Sequence, residues 1–275
     1  MKVDVITPHG FCMGVERALA QAASLKPPVF CLHGLVHNAQ VIEGLRAKGM
    51  RFVESLDEVP DGATVLFSAH GVAPSVRAKA ARKALRVVDA TCPFVARAHA
   101  AVRDFAARGV PVVIIGHAQH VEVRGLVGEA LDFEVVATVA EVAKVKFPVD
   151  AVVGVVCQTT VAPDAVLAAL KARYPRLEVP AAAAACTATR DRQRAVADFV
   201  RDGGDGVLVL GSATSSNTNR LVETARAAGA AFAARAADED EVRALSIPPT
   251  IRRLGVTSGA STPESFLRRV LGMLY

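Results

Sequence analysis

Three of the five cysteines in this 275-residue chain stand where a strand-like run gives way to a helix-like one. Cys12 follows the run Val3–Thr7 and precedes an amphipathic stretch beginning near Val15. Cys92 follows Arg86–Asp89, with Pro93 suited to a first helical position. Cys186 follows Leu177–Val179 and an alanine run, with a helix expected about four residues later, near Arg190. A thiol at a helix start is stabilised as thiolate by unsatisfied backbone N–H groups and by the helix dipole, which suits it to metal. Three such thiolates could hold zinc or an iron–sulfur cluster, and the C-x2-C pairs that zinc favours do not occur. A four-iron cluster held by three cysteines would leave one iron open to a substrate. The competing role for any cysteine is that of a small buried hydrophobe. For Cys31 and Cys157, which lie inside apolar runs, it is the expected role.

Polar residues gather at a second set of positions, the far ends of predicted strands, where ligands bind in parallel sheets. Val29–Leu32 runs into His33-Gly34-Leu35-Val36-His37-Asn38, and Thr64–Ser68 into Ala69-His70-Gly71. Val110–Ile115 leads to Gly116-His117-Ala118-Gln119-His120-Val121-Glu122, and Ala151–Val156 to Cys157-Gln158-Thr159-Thr160. Two further tips carry Gly211-Ser212-Ala213-Thr214-Ser215-Ser216-Asn217 and Ser258-Gly259-Ala260-Ser261. One polar tip is what any loop offers; six in succession point to a shared site. His37, His70 and His120 could donate to phosphate oxygens. His9, His33, His99 and His117 are expected to make structural hydrogen bonds. Ser215-Ser216-Asn217 opens a helix and offers donors to an anion, although the same residues serve equally well as an N-cap. Glu122 is the one carboxylate among the six tips, and a surface pairing with Arg124 is its competing role. No P-loop or G-x-G-x-x-G occurs, so nucleotide binding has no motif behind it.

The elements that must position these groups alternate along the whole chain. Gly206–Leu210 and Leu254–Thr257 complete the predicted strands. Helices are expected over Val15–Leu25, Ala39–Lys48, Val76–Ala84, Pro93–Ala107, Ala165–Ala172, Arg190–Asp202, Ser216–Ala228 and Pro263–Leu274. Such alternation predicts an α/β protein with parallel sheets covered by helices. The three cysteines lie 80 residues (12 to 92) and 94 residues (92 to 186) apart, close to thirds of the chain. This spacing predicts three small α/β units, 1–91, 92–185 and 186–275, each presenting one thiol.

The formal charge is +5, which would suit an anionic substrate or an acidic partner, although arginines scattered over exposed helix faces account for it as well. Only 5% of the residues are aromatic and no Lys/Arg block occurs, so nucleic acid is not an expected partner. No apolar run approaches the length needed to cross a bilayer. The opening residues enter a strand-like pattern directly, without a signal-peptide core, so a cytoplasmic location with reduced thiols is expected.

Together the segments resemble the LytB-type family of 4-hydroxy-3-methylbut-2-enyl diphosphate reductases over essentially the whole chain. The resemblance is carried by Gly10-Phe11-Cys12-Met13-Gly14-Val15, Val36-His37-Asn38, Phe67-Ser68-Ala69-His70-Gly71-Val72 and Asp89-Ala90-Thr91-Cys92-Pro93. It continues through Gly116-His117-Ala118 with His120 and Glu122, Gln158-Thr159-Thr160, Gly211-Ser212, Ser215 to Leu221, and Thr257-Ser258-Gly259-Ala260-Ser261. Each segment is weak alone, but their order and spacing are highly specific.

The resemblance implies a pseudo-threefold trefoil around one [4Fe–4S] cluster, ligated by Cys12, Cys92 and Cys186 with one iron open. It implies that His37, His70, His120, Ser215, Ser216, Asn217 and Ser261 grip a diphosphate, and that Thr159 and Glu122 face the substrate hydroxyl. The implied reaction is a two-electron reductive dehydroxylation giving isopentenyl and dimethylallyl diphosphate, with ferredoxin or flavodoxin as electron donor and Glu122 as proton source. Three departures stand out. Val121 replaces the proline usual between the equivalents of His120 and Glu122, Ala181–Ala185 replaces a polar segment, and Ala213 stands where many relatives carry a long polar residue. A divergent paralogue, acting on a related diphosphate or as a redox sensor, is the alternative. Sensing would require neither Glu122 nor Thr159.

Overall fold

The computed structural model describes residues 1–181 and 186–274. The alanine run ahead of Cys186 therefore lies, from 182 to 185, outside the described residues. The chain divides into two compact units. The first is Met1–Glu16, Val36–Gly44 and Thr187–Tyr275, and the second is Arg17–Leu35 and Leu45–Cys186.

All strand pairings are parallel, as the alternation predicts. In the first unit β1 (Lys2–Val5) is the edge of a sheet. The second unit holds two sheets. One is built from β2 (Val29–Leu32), β3 (Met50–Val53), β4 (Thr64–Phe67) and β5 (Arg86–Asp89), in the order β3-β2-β4-β5. The other is built from β6 (Val112–Ile115), β7 (Phe133–Val136), β8 (Val153–Cys157) and β9 (Leu177–Glu178), in the order β7-β6-β8-β9. The first unit repeats the pattern with β10 (Gly206–Leu210), β11 (Phe232–Ala236) and β12 (Arg253–Ser258), ordered β11-β10-β12, and β1 takes the fourth place. Among the described residues three separate four-stranded parallel sheets therefore share one strand order.

Central strands carry unbroken apolar runs because both their faces are covered. Along β10, Leu208 and Leu210 enter a core with Phe266, Leu267 and Val270 of a C-terminal helix, while Val207 and Val209 enter another with Val196, Phe199 and Leu221. In β8, Val153, Val155 and Cys157 lie on one face with Val166 and Leu170, and Val156 lies on the other with Phe105. This two-sided burial places Cys157 in a core.

The helices are α1 (Met13–Ser24), α2 (Ala39–Ala47), α3 (Pro74–Arg82), α4 (Pro93–Ala107), α5 (Val121–Val127), α6 (Val139–Val142), α7 (Asp164–Arg173), α8 (Thr187–Arg201), α9 (Ser216–Ala227), α10 (Glu239–Ala244) and α11 (Glu264–Leu274). Two differences from the sequence reading bear on function. Helix α8 starts at Thr187, directly after Cys186, rather than near Arg190. The stretch from Val121, read as the end of a loop, is helical and carries Glu122 in its first turn. Strands β3, β7 and β11 were not foreseen. Each is a short edge strand interrupted by an Arg or Glu, which hides the apolar signal. None of the described helices is long and apolar enough to cross a membrane.

Candidate active site

In the second unit, Cys92 is the N-cap of α4, with Pro93 in the first turn. Its N–H donates to the Ala69 carbonyl at 3.0 Å, and its own carbonyl accepts from Ala96 at 2.8 Å. The turn holding His70 is thereby tied to the start of the helix. The Cys186 N–H donates to the Thr159 carbonyl at 3.2 Å. Both thiols are partly exposed. By contrast Cys31 and Cys157 are buried, and burial pushes each thiol up to about 12, far from a usable thiolate.

Glu122 is 1% exposed, and both its oxygens are used by one residue. Oε1 accepts from the Thr159 N–H at 2.7 Å, and Oε2 accepts from the Thr159 hydroxyl at 2.9 Å. The expected alternative, a surface pair with Arg124, does not form; the carboxylate faces inward. Burial pushes the Glu122 carboxyl up to about 7, only partly offset by the two bonds from Thr159. A carboxyl poised there can hold and release a proton near neutral pH.

His120 caps α5, its Nδ1 accepting from the Glu122 N–H at 3.2 Å. In the neutral ring this fixes the proton on Nε2, which makes that nitrogen the donor of the ring. His70 Nδ1 lies 3.1 Å from the Ser68 hydroxyl. The His70 and His120 rings meet edge to face, with centroids 5.9 Å apart. Val121 occupies the first position of α5 that proline would favour, and the helix forms nonetheless. Gln158 donates to the Thr160 hydroxyl at 2.7 Å and accepts from the His117 N–H at 3.0 Å, binding two strand tips together.

In the first unit, Cys12 donates its N–H to the Ala260 carbonyl at 3.1 Å and accepts from Glu16 at 2.9 Å, so it too stands at a helix start. Its loop is anchored twice more. The Gly10 N–H donates to Ser258 Oγ at 2.8 Å, and the Arg192 guanidinium donates to the Gly10 carbonyl and to the Ala188 carbonyl, each at 3.0 Å. Arg192 is only 4% exposed. No role for it is legible in the sequence, since a run of charges beginning at Arg190 reads as a solvated helix face.

Ser215 is the N-cap of α9, its hydroxyl accepting from the Thr218 N–H at 3.2 Å. Asn217 follows in the first turn at 3% exposure. Among the described residues neither its amide oxygen nor its amide nitrogen has a partner. Buried amides are ordinarily satisfied, so an unsatisfied one at a helix start marks a place for a ligand. The fully buried Thr218 side chain is packed against Gly211 and Gly259, where any larger residue would collide with its hydroxyl. That contact fixes α9 against the tips of β10 and β12. Ser261 donates to the His37 carbonyl at 3.1 Å, and burial lowers the His37 pKa, favouring the neutral ring. The structural roles foreseen for two other histidines are visible at His33, 2.9 Å from Glu54, and at His99, 2.8 Å from Glu129.

The candidate residues thus fall into two sets. Cys12, His37, Ser215, Ser216, Asn217 and Ser261 belong to the first unit. His70, Cys92, His120, Glu122, Thr159 and Cys186 belong to the second. Among the described residues no three His, Cys, Asp or Glu side chains lie together as a ready ion site.

A family model described as LytB protein matches residues 3–275. A 4-hydroxy-3-methylbut-2-enyl diphosphate reductase of Mycobacterium bovis is 44% identical, over 99% of this chain and 85% of that protein. One of Aromatoleum aromaticum is also 44% identical, over 99% of this chain and 89% of that protein. The solved structure of the Plasmodium falciparum E-1-hydroxy-2-methyl-but-2-enyl-4-diphosphate reductase superposes with a TM-score of 0.91 at 32% identity, covering 99% of this chain and 87% of that one. The shared strand order of the three sheets, the thiols at three helix starts and the matches along nearly the full length place this chain in the LytB family.

Proposed function

We propose that this protein reduces 4-hydroxy-3-methylbut-2-enyl diphosphate to isopentenyl and dimethylallyl diphosphate, the terminal step of the non-mevalonate pathway. The observation that carries the reading furthest is the Glu122–Thr159 pair. It is a buried carboxyl poised near neutrality and hydrogen-bonded twice to a residue whose hydroxyl can pass on its proton. In the overall reaction the carbon–hydroxyl bond breaks and two electrons enter the allylic fragment. One proton converts the departing hydroxyl to water, and a second goes to carbon.

Cys12, Cys92 and Cys186 fit a [4Fe–4S] group by donor type. All three are partly exposed at helix starts, whereas the other two thiols are buried in strands. When bound, the cluster would supply the electrons and a Lewis-acidic iron for the substrate oxygen. The protein's own contribution is binding and proton delivery. His37, His70, His120, Ser215, Ser216, Asn217 and Ser261 would hold the diphosphate through N–H and O–H donors. Thr159 would orient the hydroxyl and relay the proton of Glu122. Ferredoxin or flavodoxin would deliver electrons, the positive net charge suiting an acidic carrier. Turnover with a reduced viologen as donor, measured on anaerobically purified protein, tests the reading. Iron-loaded protein that leaves the substrate unchanged would overturn it.

Two results should follow. Asn217→Ala removes an amide that has no other partner among the described residues. Substrate affinity should fall about ten- to a hundredfold, as one charge-assisted bond is lost. Calorimetric titration would read this, and unchanged affinity would put the diphosphate elsewhere. The second concerns pH. Because the folded-state pKa of Glu122 is raised from 4.5 to about 7, its protonated form favours the folded state. That stability is fully present below about pH 4.5 and is lost as pH rises through 7. The protonated donor is lost over the same range, so kcat should fall above about pH 7. Glu122→Gln should abolish the Glu122 contribution to the pH dependence of stability, which denaturant titrations at pH 5 and pH 8 would reveal.

A further inference from the structure

Away from the residues assigned above, the second unit contains a buried polar cluster on α4. His99, two turns along from Cys92, is 4% exposed. Its Nδ1 lies 2.8 Å from Glu129 Oε1, and the Arg103 guanidinium donates to the same oxygen at 2.8 Å. The Glu129 side chain is as deeply buried as that of the histidine. Burial lowers the His99 pKa against the pull of Glu129, so the ring is neutral with its proton on Nδ1. Its Nε2, also buried, has no hydrogen-bond partner among the described residues.

What Nε2 faces is the other half of the observation. A Cβ on Gly71 would lie 2.7 Å from His99 Nε2, and a Cβ on Gly125 would lie 3.2 Å from both Nε2 and Cε1. Gly71 has a φ of +74° and directly follows His70. Gly125 is on α5, which begins after His120 and carries Glu122. The same point on Gly125 would lie 3.7 Å from the backbone carbon of Gly71. Two backbones therefore approach each other because both are glycine, and the His99 ring is wedged against both. An apolar ring would fill this space without burying a nitrogen that lacks a donor. The carboxylate adds what an apolar ring could not, a fixed orientation of the ring plane.

We propose that His99 is a positioning residue for His70 and His120, its ring held by Glu129 so as to set the approach of the His70–Gly71 turn to helix α5. His99 acts through the glycines beside the two rings. Its consequence for catalysis rests on the diphosphate-reductase reading, while its geometric content does not.

Glu129→Gln tests it with little change of volume, and His99→Phe tests it by filling the same space. The readouts are the ring nitrogen resonances of His70 and His120 in the substrate-free holoprotein, the melting temperature, and the separate values of KM and kcat. In Glu129→Gln both sets of resonances should move, and KM should rise roughly tenfold, within the range known for small misplacements, with kcat within about twofold. His99→Phe should act in the same direction. Should His99→Phe fail to fold, Glu129→Gln alone decides. Unmoved resonances with unchanged KM in Glu129→Gln would overturn the proposal, whatever happens to the melting temperature. If the wild-type protein does not turn over the diphosphate, the functional reading falls, and the resonances still decide the role of His99.

Discussion

Glu122→Gln is expected to match the wild type in iron and sulfide content and in substrate binding, yet to lose about 10²–10⁴-fold in turnover, the usual worth of general acid catalysis. Hydroxide leaves carbon poorly, so a proton must reach the departing oxygen as the bond breaks. In this fold the carboxyl is buried, raised to about 7, and joined to the Thr159 hydroxyl at 2.9 Å. Glutamine preserves shape and keeps an acceptor for the Thr159 N–H, but it cannot cycle a proton. The comparison to make is single-turnover rate against substrate affinity. A mutant that turns over near the wild-type rate with a reduced viologen would show that the proton comes from another group. Thr159→Val should fall between the two, since it removes the relay but leaves the acid.

Serine at Cys12, Cys92 or Cys186 is expected to take iron and sulfide from about four of each per chain toward none. Serine at Cys31 or Cys157 should leave the load intact. The separation is physical. The first three stand partly exposed at helix starts, and the last two lie in strands where burial pushes the thiol up to about 12. Iron and sulfide assays on anaerobically purified variants, with the visible absorbance band as a second readout, decide it. A full load in any of the first three variants would remove that residue from the ligand set.

Helix α4 was fully legible in the sequence because its signals agree: a proline at the first position, apolar periodicity through Val95, Ala98, Val102 and Phe105, and a stop at Arg108-Gly109. Strand β10 was equally plain, since two-sided burial demands an unbroken apolar run. Helix α5 was not. It is seven residues long, rich in valine and interrupted by Gly125, so propensity argues against it. Tertiary contacts hold it, chiefly the Glu122 bonds to Thr159. Arg192 was hidden for a similar reason, because nothing in a charged helical stretch announces that one guanidinium turns inward to a carbonyl 182 residues away. The sequence offered the residue types of the candidate site. Their pairings required the fold.

The place of β1 beside β12 has a consequence for the order in which the protein is made. Lys2 pairs with Arg253 and Val3 with Leu254, so β1 cannot find its neighbour until synthesis has passed Arg253. At ordinary rates of synthesis that wait is roughly 12–50 s. The loop carrying Cys12 shares it, since its seats at Ser258 and Ala260 are later still. Both sheets of the second unit, with Cys92 and Cys186, can meanwhile assemble from contiguous chain. The earliest of the three thiols in translation is thus the last to reach its full set of anchors, and a chain that stops short of Arg253 lacks the Ser258 and Ala260 seats and keeps the Arg192 bond to Gly10.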